Sequence, residues 1–167
     1  WRDKVELGAK FPHWTTGINV NIRYRDFDFA ALFQGAFGYY TDVWVIKPQN
    51  KVYPTEVYEL RWTEENNNAN ALVPRMGGSS LNESASDYRY KKGNYLRLKS
   101  ASIGYTIPSR ILRKISIEQA RITLSGTNLL TFDKLKKYNL DPEVPFGQGG
   151  YYYPQQRTFS LGLNVSF

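Results

Sequence analysis

Apolar and polar side chains alternate strictly along the last stretch of the chain, RTFSLGLNVSF. The apolar positions are Phe159, Leu161, Leu163, Val165 and Phe167, and small residues, most of them polar, stand between them. Successive side chains of an extended strand point to opposite faces. This period of two therefore predicts a strand with one apolar face and one polar face.

The same period of two recurs in four earlier stretches. TTGINVNIRY and FDFAALFQGAFGYY are separated by a very short turn and predict a β-hairpin. In NYLRLKSASIGYTI the apolar side chains change from even-numbered to odd-numbered positions near Lys99 to Ser100. This change of parity predicts a bulge. The fourth stretch is ARITLSGTNLLTF. We predict strands near residues 14–25, 27–41, 94–107, 119–131 and 157–167.

The connections between these strands alternate between short and long. The first is the turn around Asp26, and the third runs from Pro108 to Gln119, with one helical turn beginning after Ser109. The other two, near 42–93 and 132–156, are long, lack periodicity and are rich in loop-forming residues. A soluble sandwich has no reason to sort its loops by length. Outer-membrane barrels do, with short periplasmic turns and long extracellular loops.

The sequence therefore predicts an all-β fold: about five C-terminal antiparallel strands of a large transmembrane β-barrel, with long extracellular loops and short periplasmic turns. Five strands cannot close a bacterial barrel, because such barrels have even strand numbers and lipid does not tolerate open edges. We expect the missing strands to come from another part of the same polypeptide. The polar parity carries Arg23 and Arg121, charges that a buried sandwich core would not accommodate.

In such a barrel the apolar parity faces lipid and the polar parity faces the lumen. The residues predicted to face lipid are Ile18, Val20, Ile22, Phe29, Phe33, Phe37, Ile103, Ile122, Leu124, Phe159, Leu161, Leu163 and Val165.

The composition of the chain limits the classes of function that are possible, but it does not exclude a barrel. The mean hydropathy is -0.52, but the lumen face and loops of a barrel are polar. No run approaches the ~18 apolar residues of a membrane helix, and WRDKVELGAK does not resemble a signal peptide. The net charge of +7 is scattered or lies in one connecting segment, SRILRKI. Because the basic residues form no stripe, we predict no nucleic-acid binding.

Residue types that carry nucleophilic or metal chemistry are sparse. The chain has no cysteine, and its one histidine, His13, lacks partners at ligand spacing. Ser125 lacks the flanking glycines of a nucleophile elbow. GQGG at residues 147–150 is not followed by the Lys-Ser/Thr and helix of a phosphate-binding loop. We therefore predict no enzymatic activity and no cofactor.

Two carboxylate pairs could in principle act as acid and base: Glu64 with Glu65, and Asp141 with Glu143. Both pairs fall in predicted external loops, where solvated charge is the simpler interpretation. Asp133 could join Asp141 and Glu143 around a calcium ion, but the spacing is not that of an EF-hand. We predict no metal site.

Aromatic residues make up 16% of the chain, and several fall in the predicted long loops. Those proposed as contacts to a ligand or partner are Trp62, Tyr151, Tyr152 and Tyr153. Flat rings with polar tips suit both sugar faces and protein interfaces, and packing of the loops against one another explains them equally well. Trp44 and Tyr39, near a strand end, are predicted to belong to an aromatic girdle.

Five motifs follow one another along the chain in an order typical of one family. They are FDFAALFQGAFGY, NYLRLKSASIGYTIP, RITLSGTNLLTF, NLDPEV and YPQQRTFSLGLNVSF. Together they resemble the C-terminal segments of the SusC/RagA family of TonB-dependent outer-membrane transporters. LGAKFPHWTTG resembles the usual lead-in of that family. The resemblance covers nearly the whole chain, and it is weakest in the long loop.

The resemblance implies a parent protein that imports oligosaccharides or peptides through a barrel of about 22 strands. It implies several partners: the plug and the remainder of the same barrel, TonB acting through the missing N-terminal part, a SusD-like surface lipoprotein, the barrel assembly machinery and lipid. The expected location is the outer membrane of a Gram-negative bacterium of the Bacteroidota. Phe167 is similar to the signal by which the assembly machinery recognises a final strand.

Two other functions remain open. The first is a soluble or secreted β-sandwich that binds carbohydrate through its aromatic loops. The second is an adhesin or passive porin, which would share the physics of the barrel and is disfavoured by the family motifs alone.

Overall fold

The computed structural model of the chain describes residues 4–43, 55–65, 67, 69, 71–75, 84–113, 116–144, 153 and 155–167. Its elements, in chain order, are β1 (Trp14–Tyr24), β2 (Phe27–Phe37), β3 (Tyr40–Asp42), α1 (Thr55–Leu60), β4 (Tyr90–Lys92), β5 (Tyr95–Thr106), α2 (Ser109–Leu112), β6 (Gln119–Asp133), a 3₁₀ helix (Lys136–Tyr138) and β7 (Thr158–Ser166).

The chain divides into two compact units. The sheet unit comprises Pro12–Phe37, Asn94–Asp133 and Gln155–Phe167. The connecting unit comprises Trp1–Phe11, Gly38–Gly93 and Lys134–Pro154. No helix among the described residues is both long and apolar enough to cross a membrane.

The sheet unit is a single antiparallel sheet of five long strands in the order β1-β2-β5-β6-β7. Neighbouring strands in space are also neighbours in the order of long strands along the chain, so the sheet is a meander. β1 and β7 form its two open edges. The hairpin turn between β1 and β2 places Arg25 in the left-handed region, at φ 53°.

A bulge interrupts the sheet at one level of three neighbouring strands. The pairing of β2 with β5 shifts between Leu32 and Phe33, and that of β5 with β6 shifts between Leu98 and Ser100. Lys99 is therefore the extra residue on β5, at the position where the change of parity predicted a bulge. On β6, Asn128 adopts a positive φ of 52° at the same level.

The five long strands lie close to the positions predicted from periodicity, with one correction. The second strand was predicted to run through residue 41, but β2 ends at Phe37 and Tyr40–Asp42 forms a separate strand, β3. β3 pairs with β4 in a small antiparallel sheet of the connecting unit. The segment near 42–93 is thus not free of regular structure, since it contains α1 and β4. The predicted helical turn after Ser109 corresponds to α2.

The connecting unit has a small interior of its own. Leu135 is fully buried, and Leu140 and Tyr39 are nearly so. The hydroxyl of Tyr39 donates a hydrogen bond of 3.0 Å to the carbonyl oxygen of Pro142. The backbone of Gly93 donates to the carbonyl of Tyr39, and a Cβ on Gly93 would lie 2.3 Å from the Tyr39 ring. Only glycine fits beside this ring.

A buried ion pair closes the small sheet of the connecting unit. Nε of Arg89 donates to both carboxylate oxygens of Asp42, at 2.8 and 3.0 Å. The side chains are 17% and 6% exposed, respectively. Charges held this far from water must be compensated by one another. The pair therefore links the end of β3 to the residue that precedes β4.

Candidate functional site

The registers of the sheet unit assign every strand residue to one of two faces, because directly opposed residues share a face. One face carries bulky apolar residues in rows that cross the strands. A typical row contains Ile22, Phe29, Ile103, Leu124 and Leu161, one from each strand. We call this the apolar face.

All thirteen residues predicted to face lipid fall on the apolar face in these registers. Most of them are exposed, and Phe159, Leu161 and Leu163 on β7 are exposed by 71%, 77% and 69%. Contiguous apolar surfaces of this extent are rare on soluble monomers and mark contact with a membrane or another protein. The registers thus settle which residues share the face, while contact with lipid stays a prediction.

The opposite face, the polar face, is built from small and polar residues. Two rows illustrate it: Asn21, Ala30, Ser102, Ser125 and Ser160, and Asn19, Leu32, Ser100, Thr127 and Thr158. These rows border a shallow depression of about 250 Å³. Its polar lining consists of Asn19, Asn21, Ser100, Ser102, Ser125 and Thr127, and no ionisable residue is among the described residues that line it.

An ion pair crosses the polar face near the short turns. The guanidinium of Arg121 on β6 makes two contacts of 2.7 Å with the carboxylate of Asp28 on β2. The strand between them, β5, presents Gly104 at this point, and a Cβ there would lie 2.4 Å from Nη2 of Arg121. Arg23 on β1 is directly opposite Asp28. The missing side chain of Gly104 is what allows the two charged groups to meet.

Arg23 and Arg121 lie on the polar face, as predicted from the sequence, but the partner of Arg121 was not predicted. Asp28 is separated from it by 93 positions, and the two are not on adjacent strands. The sequence contains one signal of this pair: Asp28, Gly104 and Arg121 all fall at polar positions of the alternation in their strands. The signal identifies the pair only when the register of the three strands is known.

Aromatic residues concentrate at both ends of the apolar face. Trp14 is at one end of β1, and Tyr24, Phe27 and Tyr105 form a row at the other end, next to the short turns. The rings of Phe27 and Tyr105 are 4.5 Å apart. The eleven residues of β1 rise ~34 Å along the strand, and a tilt of ~40° reduces this to ~26 Å. The spacing of the aromatic ends agrees with the ~25 Å apolar band of outer-membrane barrels.

The structure describes two of the four aromatic loop residues that were proposed to contact a ligand or partner. Nε1 of Trp62 donates to Asn67 at 3.2 Å, and Tyr153 is 93% exposed. The structure does not bring these two together in any recorded contact. Tyr151, Tyr152 and Trp44 lie outside the described residues. The prediction that Tyr39 belongs to an aromatic girdle is wrong, because its ring and hydroxyl are buried inside the connecting unit.

The candidate catalytic and metal-binding residues do not assemble. In the part of the chain that the structure describes, no three His, Asp or Glu side chains come together. Glu64 is exposed and forms a surface ion pair with Arg75. Oδ1 of Asp141 accepts a hydrogen bond of 2.9 Å from the backbone of Glu143, as in a capped turn.

The remaining candidates from the sequence are Ser125, His13 and Phe167. Ser125 is part of the hydroxyl rows of the polar face, and the backbone of His13 donates to the carbonyl of Phe37. Phe167 follows β7 and is 86% exposed, and its role in barrel assembly stays a prediction.

One titratable group of the connecting unit is perturbed. Burial raises the pKa of Tyr88 to about 12, with a smaller contribution from nearby Tyr138. The hydroxyl of Tyr88 donates to the carbonyl of Ala71 at 2.8 Å. A neutral phenol is thus held in place by burial and by a hydrogen bond that requires its proton.

No protein-family model matches the chain. Two curated relatives match 99% of it: TonB-dependent receptor P26 of Formosa agariphila, 31% identical over 183 residues, and TonB-dependent receptor P3 of the same bacterium, 29% identical over 181 residues. The chain spans 18% and 17% of the length of these relatives.

Solved structures of a transporter are similar in fold. The RagAB peptide importer aligns in its open-open state with a TM-score of 0.66 and in its closed-closed state with a TM-score of 0.70, at 23% and 24% identity. The alignments cover 92% and 97% of this chain and 17% and 18% of the importer chain. These findings confirm the fold class, antiparallel strands of a large β-barrel, and the resemblance of the chain to TonB-dependent outer-membrane transporters. None of these relatives is named as an enzyme.

Proposed function

We propose that this chain forms consecutive wall strands of a TonB-dependent outer-membrane transporter of the SusC/RagA type. The observation that carries the proposal is the separation of the two faces. Thirteen bulky apolar side chains share one face of the sheet, and the other face is lined mainly by hydroxyl, amide, charged and small groups. A sheet with one face in lipid and the other in a wet lumen requires this division.

The polar face would line the path that the substrate takes, and the apolar face would contact the hydrocarbon core. The substrate would be an oligosaccharide or a peptide, released into the lumen when the plug responds to TonB. The strands of this chain would hold that lumen open, because β2, β5 and β6 each pair with a neighbouring strand on both sides and only β1 and β7 have an open edge. Those two edges would pair with further strands of the same barrel.

The long connections would lie outside the cell and the turns at Arg25 and α2 would face the periplasm. A SusD-like lipoprotein would then cover the side of the barrel from which the long connections emerge. Trp62 and Tyr153 would be available there for contacts with the lipoprotein or the substrate, because neither ring belongs to the buried interior. We place the parent protein in the outer membrane of a member of the Bacteroidota.

A soluble β-sandwich is a weaker explanation of the same sheet. A sandwich buries the apolar faces of two packed sheets against each other. Here nine of the thirteen apolar-face residues remain more than a third exposed, and they include Ile18, Ile22, Leu124 and Leu161. The free energy of burying them is not gained within the described chain.

Transport is tested in a strain that lacks the gene for the full-length parent. We expect loss of uptake for either a defined oligosaccharide or a defined peptide, and restoration of uptake by the wild-type gene. Uptake should also cease when the TonB system is deleted, while binding of substrate to intact cells persists. Uptake that continues without TonB would contradict the proposal and favour a passive porin.

The orientation of the faces is tested in the full-length protein with single cysteines at two neighbouring positions of β7. A fluorophore at Leu161 should be quenched by a spin label within the lipid tails, and one at Ser160 by aqueous iodide. Quenching of both positions by iodide alone would indicate a soluble sheet.

A further inference from the structure

The turn end of the apolar face combines exposed aromatic rings with arginines. Tyr24, Phe27 and Tyr105 form the last aromatic row, and Tyr24 is 66% exposed. The guanidinium of Arg25 lies over the Tyr24 ring, 5.3 Å from its centroid. Since Tyr24 belongs to the apolar face, this contact holds the charge of Arg25 at the rim of that face.

The backbone explains why Arg25 takes this position. The β1–β2 turn forces Arg25 into the left-handed region, at φ 53°, immediately after the strand ends. Among the described residues no ion pair of Arg25 is recorded, and the nearby carboxylate of Asp28 is on the polar face with Arg121. The positive charge of Arg25 is therefore not neutralised by Asp28.

The second turn of the sheet unit adds two more arginines at the same end of the strands. α2 connects β5 to β6 and carries Arg110, and Arg113 follows directly; both are exposed. Leu112 is 3% exposed and anchors the helix, while Ile111 beside it is 53% exposed. The acidic residues Asp26 and Glu118 at this end only partly offset the three positive charges.

We propose that Arg25, Arg110 and Arg113 bind the phosphate groups of anionic phospholipids in the leaflet that surrounds the short turns. This inference rests on the proposed function, because it requires the apolar face to be in a membrane. An apolar band that ends in aromatic rings, with cations directly beyond it, matches the order of acyl chains, interface and headgroup phosphates. Arginine suits this role because its planar donors bind phosphate oxygens in pairs.

The experiment uses the full-length protein in neutral detergent. Its probe is phosphatidylglycerol, titrated into the micelles, with phosphatidylcholine and inorganic phosphate as comparison additives. The readout is the temperature at which the heat-modifiable folded band is lost on a gel. We expect phosphatidylglycerol to raise this temperature and the two other additives to have little effect.

The variants are R25Q alone and R25Q/R110Q/R113Q together, with R157Q as the matched control. Arg157 is exposed and precedes β7 at the opposite end of the strands. At about a fivefold loss per arginine, half-maximal stabilisation should need about fivefold more phosphatidylglycerol in R25Q and roughly a hundredfold more in the triple variant. R157Q should behave as wild type.

The outcomes separate the two proposals. A wild-type protein that is not heat-modifiable would overturn the proposed function, and this inference with it. A heat-modifiable barrel whose triple variant responds to phosphatidylglycerol as wild type does would overturn this inference alone. An equal response to inorganic phosphate would also overturn it, since the site would then bind free anions. The single variant keeps the test decisive if the triple variant does not fold.

Discussion

The two units of this protein place their apolar residues in opposite ways. The connecting unit buries Leu135 and Leu140 and encloses an ion pair, as small water-soluble folds do. The sheet unit leaves a continuous apolar face exposed, although its backbone is far more regular. Regular backbone structure and burial of apolar surface are therefore independent of each other in this chain.

The two units differ in the burial of their apolar residues because each requires a different solvent. The connecting unit gains stability by removing apolar groups from water, as folding in water demands. The sheet gains none from its apolar face in water, and we infer that lipid supplies the missing environment. Substitutions should therefore have different consequences in the two units of the full-length protein.

The largest effect is expected from Asp42→Ala in the connecting unit. Removing one partner of a buried ion pair leaves the other charge uncompensated, at a cost of about 3–5 kcal/mol. Amide hydrogen exchange of residues 84–93 should accelerate, while that of β5 and β6 stays unchanged. The double variant Asp42→Ala/Arg89→Ala should be less affected than Asp42→Ala alone. Unchanged exchange in Asp42→Ala would show that this unit does not depend on the pair.

Leu161→Lys should have the next largest effect, and it acts on the sheet unit alone. A lysine that faces lipid costs about 2–4 kcal/mol at the midplane and less toward the interfaces, so the folded band should be reduced in the outer membrane. Ser160→Lys, one residue away on the polar face, is the matched control and should assemble normally. Equal assembly of the two variants would contradict the assignment of the faces.

Gly93→Ala should destabilise the connecting unit by about 1–3 kcal/mol, because the new Cβ overlaps the buried ring of Tyr39. The control is Gly17→Ala in β1, where a Cβ would meet nothing within 4 Å. Protease sensitivity of the connecting unit reports the difference. If both variants resist protease as wild type does, the ring of Tyr39 has room to move and the packing is looser than described.

The smallest effect concerns alkaline pH. Since burial raises the pKa of Tyr88 from 10.0 to about 12, its contribution is complete below pH 10 and is lost as the pH rises from about 10 to about 12. Exchange of the connecting unit should accelerate over that range in the wild type and less in Tyr88→Phe. An identical alkaline profile in both proteins would assign the transition to another group.

The positions of the long strands could be read from the sequence because the side chains of each strand alternate with a period of two over most of its length. The bulge at Lys99 was visible for the same reason, as a change of parity inside NYLRLKSASIGYTI. These are local properties, and a strand with two different faces records both of them along its own length.

β3 and β4 could not be read from the sequence. Each has three residues, too few to show a period, and each forms only by pairing with a partner about 50 positions away. Tyr39 was misassigned for a related reason. Its position after an apolar strand suggested a girdle, whereas contacts with Pro142 and Gly93 bury it.

The alternation of side chains along each strand was enough to establish an all-β sheet with one apolar and one polar face, because that alternation is a property of the extended backbone itself. The pairing of Asp28 with Arg121 above Gly104, the ion pair of Asp42 with Arg89 and the burial of Tyr39 depend on which distant segments meet. Registers and loop contacts are set by interactions between residues far apart in the chain, so these features emerged only once the strands were assembled.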